Sequence, residues 1–339
     1  MTSTPGPRAA VRPAIAWSWR GAALGLAYAV PGAVATALDP ATGLALAVGV
    51  LPAAALGLRG PRRRRALVVL VGALAGLSMI LGSLVAGTPV LAVATIFVLC
   101  VLAALATARP ARRLAPLVLA LGLPLVGAGL SETPSAAVGA ALLLLAGSVY
   151  AWLVSLLWPE SAAPPRAPRP VPSRALMLRY GIQIGAAGAA AAALGLAAGI
   201  DHPGWACTAA LLVSRPRVDL LRSRGVGRAA SVLVGALVAC TVGALDPGPL
   251  VVALVATAAI VCATATSGSR WYVLPAFTTA VVLSMLVARD EAGVQHWFVE
   301  RVGETLVGVA LALAAAWVAG RVGRADAPSA PGARGAVGR

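Results

Sequence analysis

Residues 66–86 read ALVVLVGALAGLSMILGSLVA, 21 positions without a charge, preceded by PRRRR and followed by GTP. A helix needs roughly 20 apolar residues to cross a hydrocarbon layer about 30 Å thick, and this run supplies them. The same unit recurs on both sides of it. Bounded by Gly, Pro or charged residues, further runs lie at 21–38, 41–58, 90–108, 114–130 and 135–158, then at 180–200, 203–214, 229–245, 248–268, 271–288 and 302–320. The run at 203–214 is short for a full crossing and borrows Arg215, whose long side chain can snorkel to the headgroups. The expectation is an all-α polytopic membrane protein of about twelve transmembrane helices.

Composition narrows the function classes. The chain of 339 residues is 60% hydrophobic and 11% charged, with a mean hydropathy of +0.90, a balance that leaves too little polar surface for a soluble domain. All 27 basic residues are Arg. Without lysine no G-x-x-x-x-G-K-[ST] phosphate loop can form, so an ATPase of that type is excluded within this chain. Two histidines, His202 and His296, are too few for an H-E-x-x-H site, and no Asp-rich cluster is present to hold magnesium on a diphosphate. Cys100, Cys207, Cys240 and Cys262 lie in apolar runs without C-x-x-C spacing and read as packing residues. No cofactor, metal or enzymatic activity is expected. Nucleic acid is excluded as a partner because the arginines sit in short gaps between apolar runs and form no soluble basic face.

Those gaps orient the chain. One set, comprising the segment before residue 21, 59–65, 109–113, 159–179, 215–228, Arg270 and the segment after 320, holds 25 arginines, whereas the other holds only Arg289 and Arg301. Asp39, Glu132, Asp201, Asp246, Asp290, Glu291 and Glu300 fall in the arginine-poor set. Cytoplasmic loops retain basic residues, so both termini are expected in the cytoplasm of a bacterial plasma membrane. The first apolar run exceeds a signal-peptide core and reads as an uncleaved span.

An internal echo divides the chain. RALVVLVGAL at 65–74 and RAASVLVGAL at 228–237 share eight of ten positions, each copy opening the third run of its half, and VGAALLLLA at 138–146 is echoed by VGVALALAA at 307–315. Six crossings return a chain to its starting side, so two such halves form a parallel repeat about an axis along the membrane normal. The expected organisation is a cytoplasmic tail 1–20, a first six-helix half 21–158, a Pro-rich linker 159–178, a second half 179–320 and a tail 321–339.

The segment Arg179 to Gly235 carries the densest pattern: RYGIQIGAAG, then DHPGWACTAALLVSRP, then RSRGVGRAASVLVG. His202, Trp205, Ala206, Thr208, Arg215, Pro216, Arg224, Gly225, Arg228 and Gly235, with Arg301, Glu304, Thr305 and Gly308 further on, resemble the fusaric acid resistance protein-like (FUSC) or aromatic acid exporter family. The resemblance covers mainly 175–320, and Asp39-Pro40 stands where the first half would carry the His-Pro-Gly-Trp turn. It implies a secondary transporter, an efflux permease for small organic acids including aromatic ones, driven by the proton gradient. The alternatives are a membrane enzyme on a lipid-linked substrate, which needs clustered acidic or His residues, and a non-transporting scaffold or channel subunit.

The residues singled out as substrate or gating positions are His202, Trp205, Thr208, Arg215, Arg224, Arg228, Arg301 and Glu304, with Asp201, His202 and Glu304 for proton coupling. Each has a plainer reading. His202 and Trp205 suit any outer helix end, where aromatic anchors collect. Glu304 is the only acid inside an apolar run, costly to bury unless paired, and Arg301 one turn away offers an i,i+3 partner. Arg215, Arg217, Arg222, Arg224 and Arg228 form an inner loop that topology alone explains, or a funnel for anionic substrates. Gly-x-x-x-Gly pairs at Gly21/Gly25, Gly72/Gly76, Gly181/Gly185 and Gly195/Gly199 permit close helix packing, and Pro31, Pro52, Pro124 and Pro275 interrupt runs. The lipid bilayer and a small anionic organic substrate are the expected partners, with self-association left open.

Overall fold

The computed structural model describes residues 14–57, 61–109, 116, 118–160, 172–215, 218–288 and 293–325. The linker core 161–171, most of both tails, Pro216, Arg217, Arg289, Asp290 and Glu291 lie outside them. Every described element is helical: α1 Trp19–Leu38, α2 Pro40–Leu56, α3 Arg62–Ala86, α4 Pro89–Thr107, α5 Val118–Ser131, α6 Pro134–Leu157, α7 Arg174–Ala198, α8 Trp205–Val213, α9 Val218–Ala244, α10 Pro249–Ala265, α11 Leu274–Val287 and α12 Val294–Ala325. Seven of these (α1, α3, α4, α6, α7, α9 and α12) are long and apolar enough to cross a membrane. This is a multi-pass membrane protein.

Helix starts follow local chemistry. Proline at the first helical position has no N–H to leave orphaned, and it follows an extended residue before α2, α4 and α6. Asp39 accepts from the N–H groups of Ala41 and Thr42 at 3.2 Å, Thr133 from Ala136 and Ser173 from Leu176, satisfying first-turn donors. α7 ends at Gly199, whose φ of 62° is the left-handed conformation that releases the chain into the 199–204 turn. Arg65, buried at the start of α3, donates to the carbonyls of Ser155, Trp158 and Pro159, closing the C-terminal end of α6.

Packing follows a reciprocal pattern. α1 lies on α10 and α7 on α4; α3 on α6 and α9 on α12; α3 on α5 and α9 on α11; α2 on α6 and α8 on α12; α2 on α11 and α8 on α5. Each pair becomes the next on counting six elements along the chain. The buried clusters follow the same rule approximately. One gathers Tyr28, Val50, Val68, Ala151, Ile260 and Val281 from α1, α2, α3, α6, α10 and α11, and a second draws mainly on α4, α5, α7, α8, α9 and α12, with Val85 of α3 added, while a third around Trp205, Ala236, Leu283 and Trp297 has no counterpart. Close approach is made by glycines in matching places. A Cβ on Gly25 of α1 would come 2.7 Å from the Cα of Val261, and one on Gly181 of α7 would come 3.0 Å from the Cα of Val101. Among the departures are α2 on α10, which has no comparable α8–α4 contact, α8 having nine residues against seventeen in α2, and α3 on α4, which has no comparable α9–α10 contact.

Three boundaries differ from the sequence expectation. α9 begins at Val218, so Arg222, Arg224 and Arg228 stand on a helix and not in an inner loop, and the echo beginning at Arg228 lies ten residues inside α9 instead of opening it. α12 begins at Val294, which brings Glu300 and Arg301 into the helix and removes Glu304 from its place as the only acid in a span. In both cases no Gly-Pro or Pro break precedes the apolar run, so backbone hydrogen bonding carries the helix on through charged turns. Pro275 is the second residue of α11, where it interrupts nothing, while Pro31 and Pro52 do lie inside α1 and α2.

Candidate functional site

α8 is the element that makes the site. Nine residues rise only about 13 Å, so it is a half-helix whose N-terminus stops inside the bundle. It enters by a tight route: Gly204 lies against Gly127 of α5, where a Cβ would overlap the Gly127 carbonyl, and Thr208 donates to the Pro124 carbonyl at 2.6 Å. Gly308 of α12 packs on the Ala206 carbonyl, setting α12 directly beside the first turn of α8.

Two carboxylates one turn apart on α12 hold that entry. Glu300 Oε1 accepts from the His202 backbone N–H at 2.8 Å, and Glu304 Oε2 accepts from the Ala206 N–H at 2.9 Å. Gly204, the residue preceding the helix, provides no side-chain cap, so Glu304 supplies from α12 the anion that a helix N-terminus favours. The expected i,i+3 pair with Arg301 does not form: no Arg301–Glu304 contact within 4.0 Å occurs among the described residues. Arg301 instead lays its guanidinium over the Trp205 ring, 4.6 Å from the centroid. Glu304 and Arg301 are 6% and 8% exposed.

Around them stands an aromatic wall. His202 stacks on Trp205 with centroids 4.3 Å apart and meets the edge of Trp297 at 5.0 Å. Arg228 of α9 lies within electrostatic range of Arg301. Arg301 Nε, Arg228 Nε and Glu304 Oε1 are buried without a hydrogen-bond partner among the described residues. Such groups are costly in a membrane interior, which makes this the candidate site.

The other sequence candidates are placed apart. Arg215 donates to the Ser214 carbonyl, which also accepts from the Tyr180 hydroxyl, and Arg224 covers Trp271 at 4.8 Å. The fold adds three residues the sequence reading passed over: His296, Trp297 and Glu300. His296 Nε2 stands 2.8 Å from Asp201 Oδ2. Their one-turn spacing ahead of Glu304, His296 to Glu300 and Trp297 to Arg301, was the available signal. A cavity of about 680 Å³ lies elsewhere, between α4 and α7, lined by Val90, Val93, Phe97, Ala189 and Leu196, and a second of about 220 Å³ lies among α2, α9, α10 and α11. Neither is lined by Arg301, Glu304 or Arg228.

The segment that builds this arrangement, from mid-α7 through most of α12, is also the segment with a recognisable relationship. The family model described as fusaric acid resistance protein-like matches residues 189–315. That stretch, under half of the chain, is similar to this family. Its boundaries take in His202, Trp205, Thr208, Arg228, Arg301 and Glu304, and the resemblance drawn from the sequence pattern names the same family. No curated protein and no solved structure matches the chain. The long apolar helices make this a membrane protein, and the similarity to that family lies within its second half.

Proposed function

We propose that the chain is a secondary transporter that exports small organic acids, aromatic carboxylates among them, coupled to the proton gradient. Its frame is two parallel six-helix repeats making twelve crossings of a bacterial plasma membrane, with both termini cytoplasmic. The reciprocal helix pairing supports the repeat, since a two-fold axis relating α1–α6 to α7–α12 exchanges nearly every contact for its partner. Transporters built this way bind at the repeat interface near mid-depth, often at the N-terminus of a broken helix.

The observation that carries the reading is the buried Arg301 and Glu304 at the N-terminus of the half-helix α8, with the half-buried Arg228 of α9 near Arg301. The guanidinium of Arg301 and the first-turn N–H group that Glu304 now holds suit a carboxylate, and Trp205 and Trp297 give the site an aromatic lining. Glu304 is the proton-carrying group, because its carboxylate occupies the helix end that a substrate carboxylate would also seek. Asp201 and His202 flank the route to it.

The test is binding by purified protein, read by quenching of tryptophan fluorescence with benzoate as probe and benzamide as its neutral control. Removing one partner of a buried charge pair costs about 2–5 kcal/mol, so Arg301→Gln is expected to weaken benzoate at least about 30-fold while leaving helix content intact. Equal binding of benzoate by the folded variant and the parent contradicts the assignment.

A further inference from the structure

Beside Arg301 and Glu304, at the end of the bundle where Val294 meets Gly243, a separate set of groups converges. Asp201 Oδ2, His296 Nε2 and one oxygen of Glu300 all lie within 4.8 Å of one another. The individual separations are 2.8 Å from His296 Nε2 to Asp201 Oδ2 and 3.7 Å from His296 Nε2 to Glu300 Oε2. For a four-coordinate zinc with bonds of about 2.0–2.1 Å, ligand atoms stand roughly 3.3 Å apart. The two His296 separations bracket that edge length, and the exposed Asp201 and His296 side chains have room to adjust toward Glu300, from which no ligand atom of the group is farther than 4.8 Å.

Glu300 supplies the second, independent observation. Its side chain is 6% exposed, its Oε1 is used by the His202 N–H, and its Oε2 is buried without a hydrogen-bond partner among the described residues while facing His296. His202 Nδ1, 3.5 Å from the same oxygen, and the His202 N–H hold Glu300 in position, as groups behind a ligand do. His296 and Glu300 are four residues apart on α12, so both project from one face, while Asp201 comes from the turn after α7. Asp201 and His296 are 61% and 43% exposed, which leaves a path for entry from water and room for solvent to complete the coordination.

We infer that Asp201, His296 and Glu300 form a binding site for a divalent transition metal of the zinc type. The imidazole favours such an ion over magnesium or calcium, which prefer sets made wholly of oxygen. Occupancy would tie the 199–204 turn to α12. The site needs nothing of the transport reading, and its test does not measure transport.

The experiment is zinc titration of the full chain in lipid nanodiscs, free of any histidine tag, by competition with a chromophoric chelator, alongside thermal unfolding with and without zinc. Stoichiometric binding is expected, with a rise in unfolding temperature on adding zinc. His296→Asn, at a half-exposed position that folding does not require, is expected to weaken zinc about tenfold or more and to abolish the thermal shift, with Glu300→Gln doing the same. Magnesium at the same concentrations is expected to give no shift. Absence of zinc binding by the parent, or binding unchanged in His296→Asn, overturns the inference, and a preference for magnesium overturns the metal class.

Discussion

Replacing Glu304 separates its two roles. In the folded chain its Oε2 accepts the Ala206 N–H at 2.9 Å at the start of α8, and its charge lies within range of Arg301. A hydrogen bond to a charged acceptor contributes about 1.5–3 kcal/mol and a neutral one about 0.5–1.5. Glutamine keeps the acceptor and loses the charge, so Glu304→Gln is expected to cost about 1–2 kcal/mol. Alanine leaves the buried Ala206 N–H unpartnered and removes the carboxylate near Arg301, raising the cost to about 2–3 kcal/mol. Thermal unfolding in nanodiscs, followed by tryptophan emission, should therefore rank the parent above Glu304→Gln and that above Glu304→Ala. Trp205 and Trp297 report from the site itself. An alanine variant as stable as the parent refutes the claim that Glu304 holds the half-helix.

Other consequences follow from the packing and the topology. Gly25→Leu and Gly181→Leu each drive a side chain into a facing backbone, α10 and α4 respectively, and are expected to lower stability by about 1–3 kcal/mol, whereas Gly139→Leu, which meets open space, should be neutral in the same unfolding assay. Arg65→Ala frees three carbonyl groups at the end of α6 and is expected to raise backbone hydrogen exchange at 155–159, with no change at 199–206. Reporter tags at the two termini should both read cytoplasmic, since twelve crossings return the chain to its starting side; opposite readings remove the paired-repeat frame.

Much of the fold was legible because apolar length and proline breaks are strong signals: α1 to α7 start or end within a few residues of the expected runs, except the start of α7. What the sequence obscured were the helix extensions through charge. Counting charged residues as loop cut α12 at 302 and α9 at 229, yet nothing in QHWFVERVGE or RSRGVGR interrupts backbone hydrogen bonding. The same cut hid half of the site. His202, Trp205 and Glu304 were singled out, but His296, Trp297 and Glu300 were left in a loop, where their one-turn spacing has no meaning. Arg301 was seen as a partner for Glu304 because i,i+3 neighbours can pair; only the arrival of Trp205 from α8 shows where its guanidinium goes. The reciprocal pairing of α1 with α10 and α4 with α7 was beyond reach of periodicity, since it joins residues more than 70 positions apart.

The central claim is most directly tested by flux of radiolabelled benzoate in proteoliposomes, with and without an imposed pH gradient. The account predicts protein-dependent flux that the gradient accelerates, flux lost in Arg301→Gln, and flux in Glu304→Gln that no longer responds to the gradient. Flux equal to that of empty liposomes, or acceleration retained in folded Glu304→Gln, contradicts it.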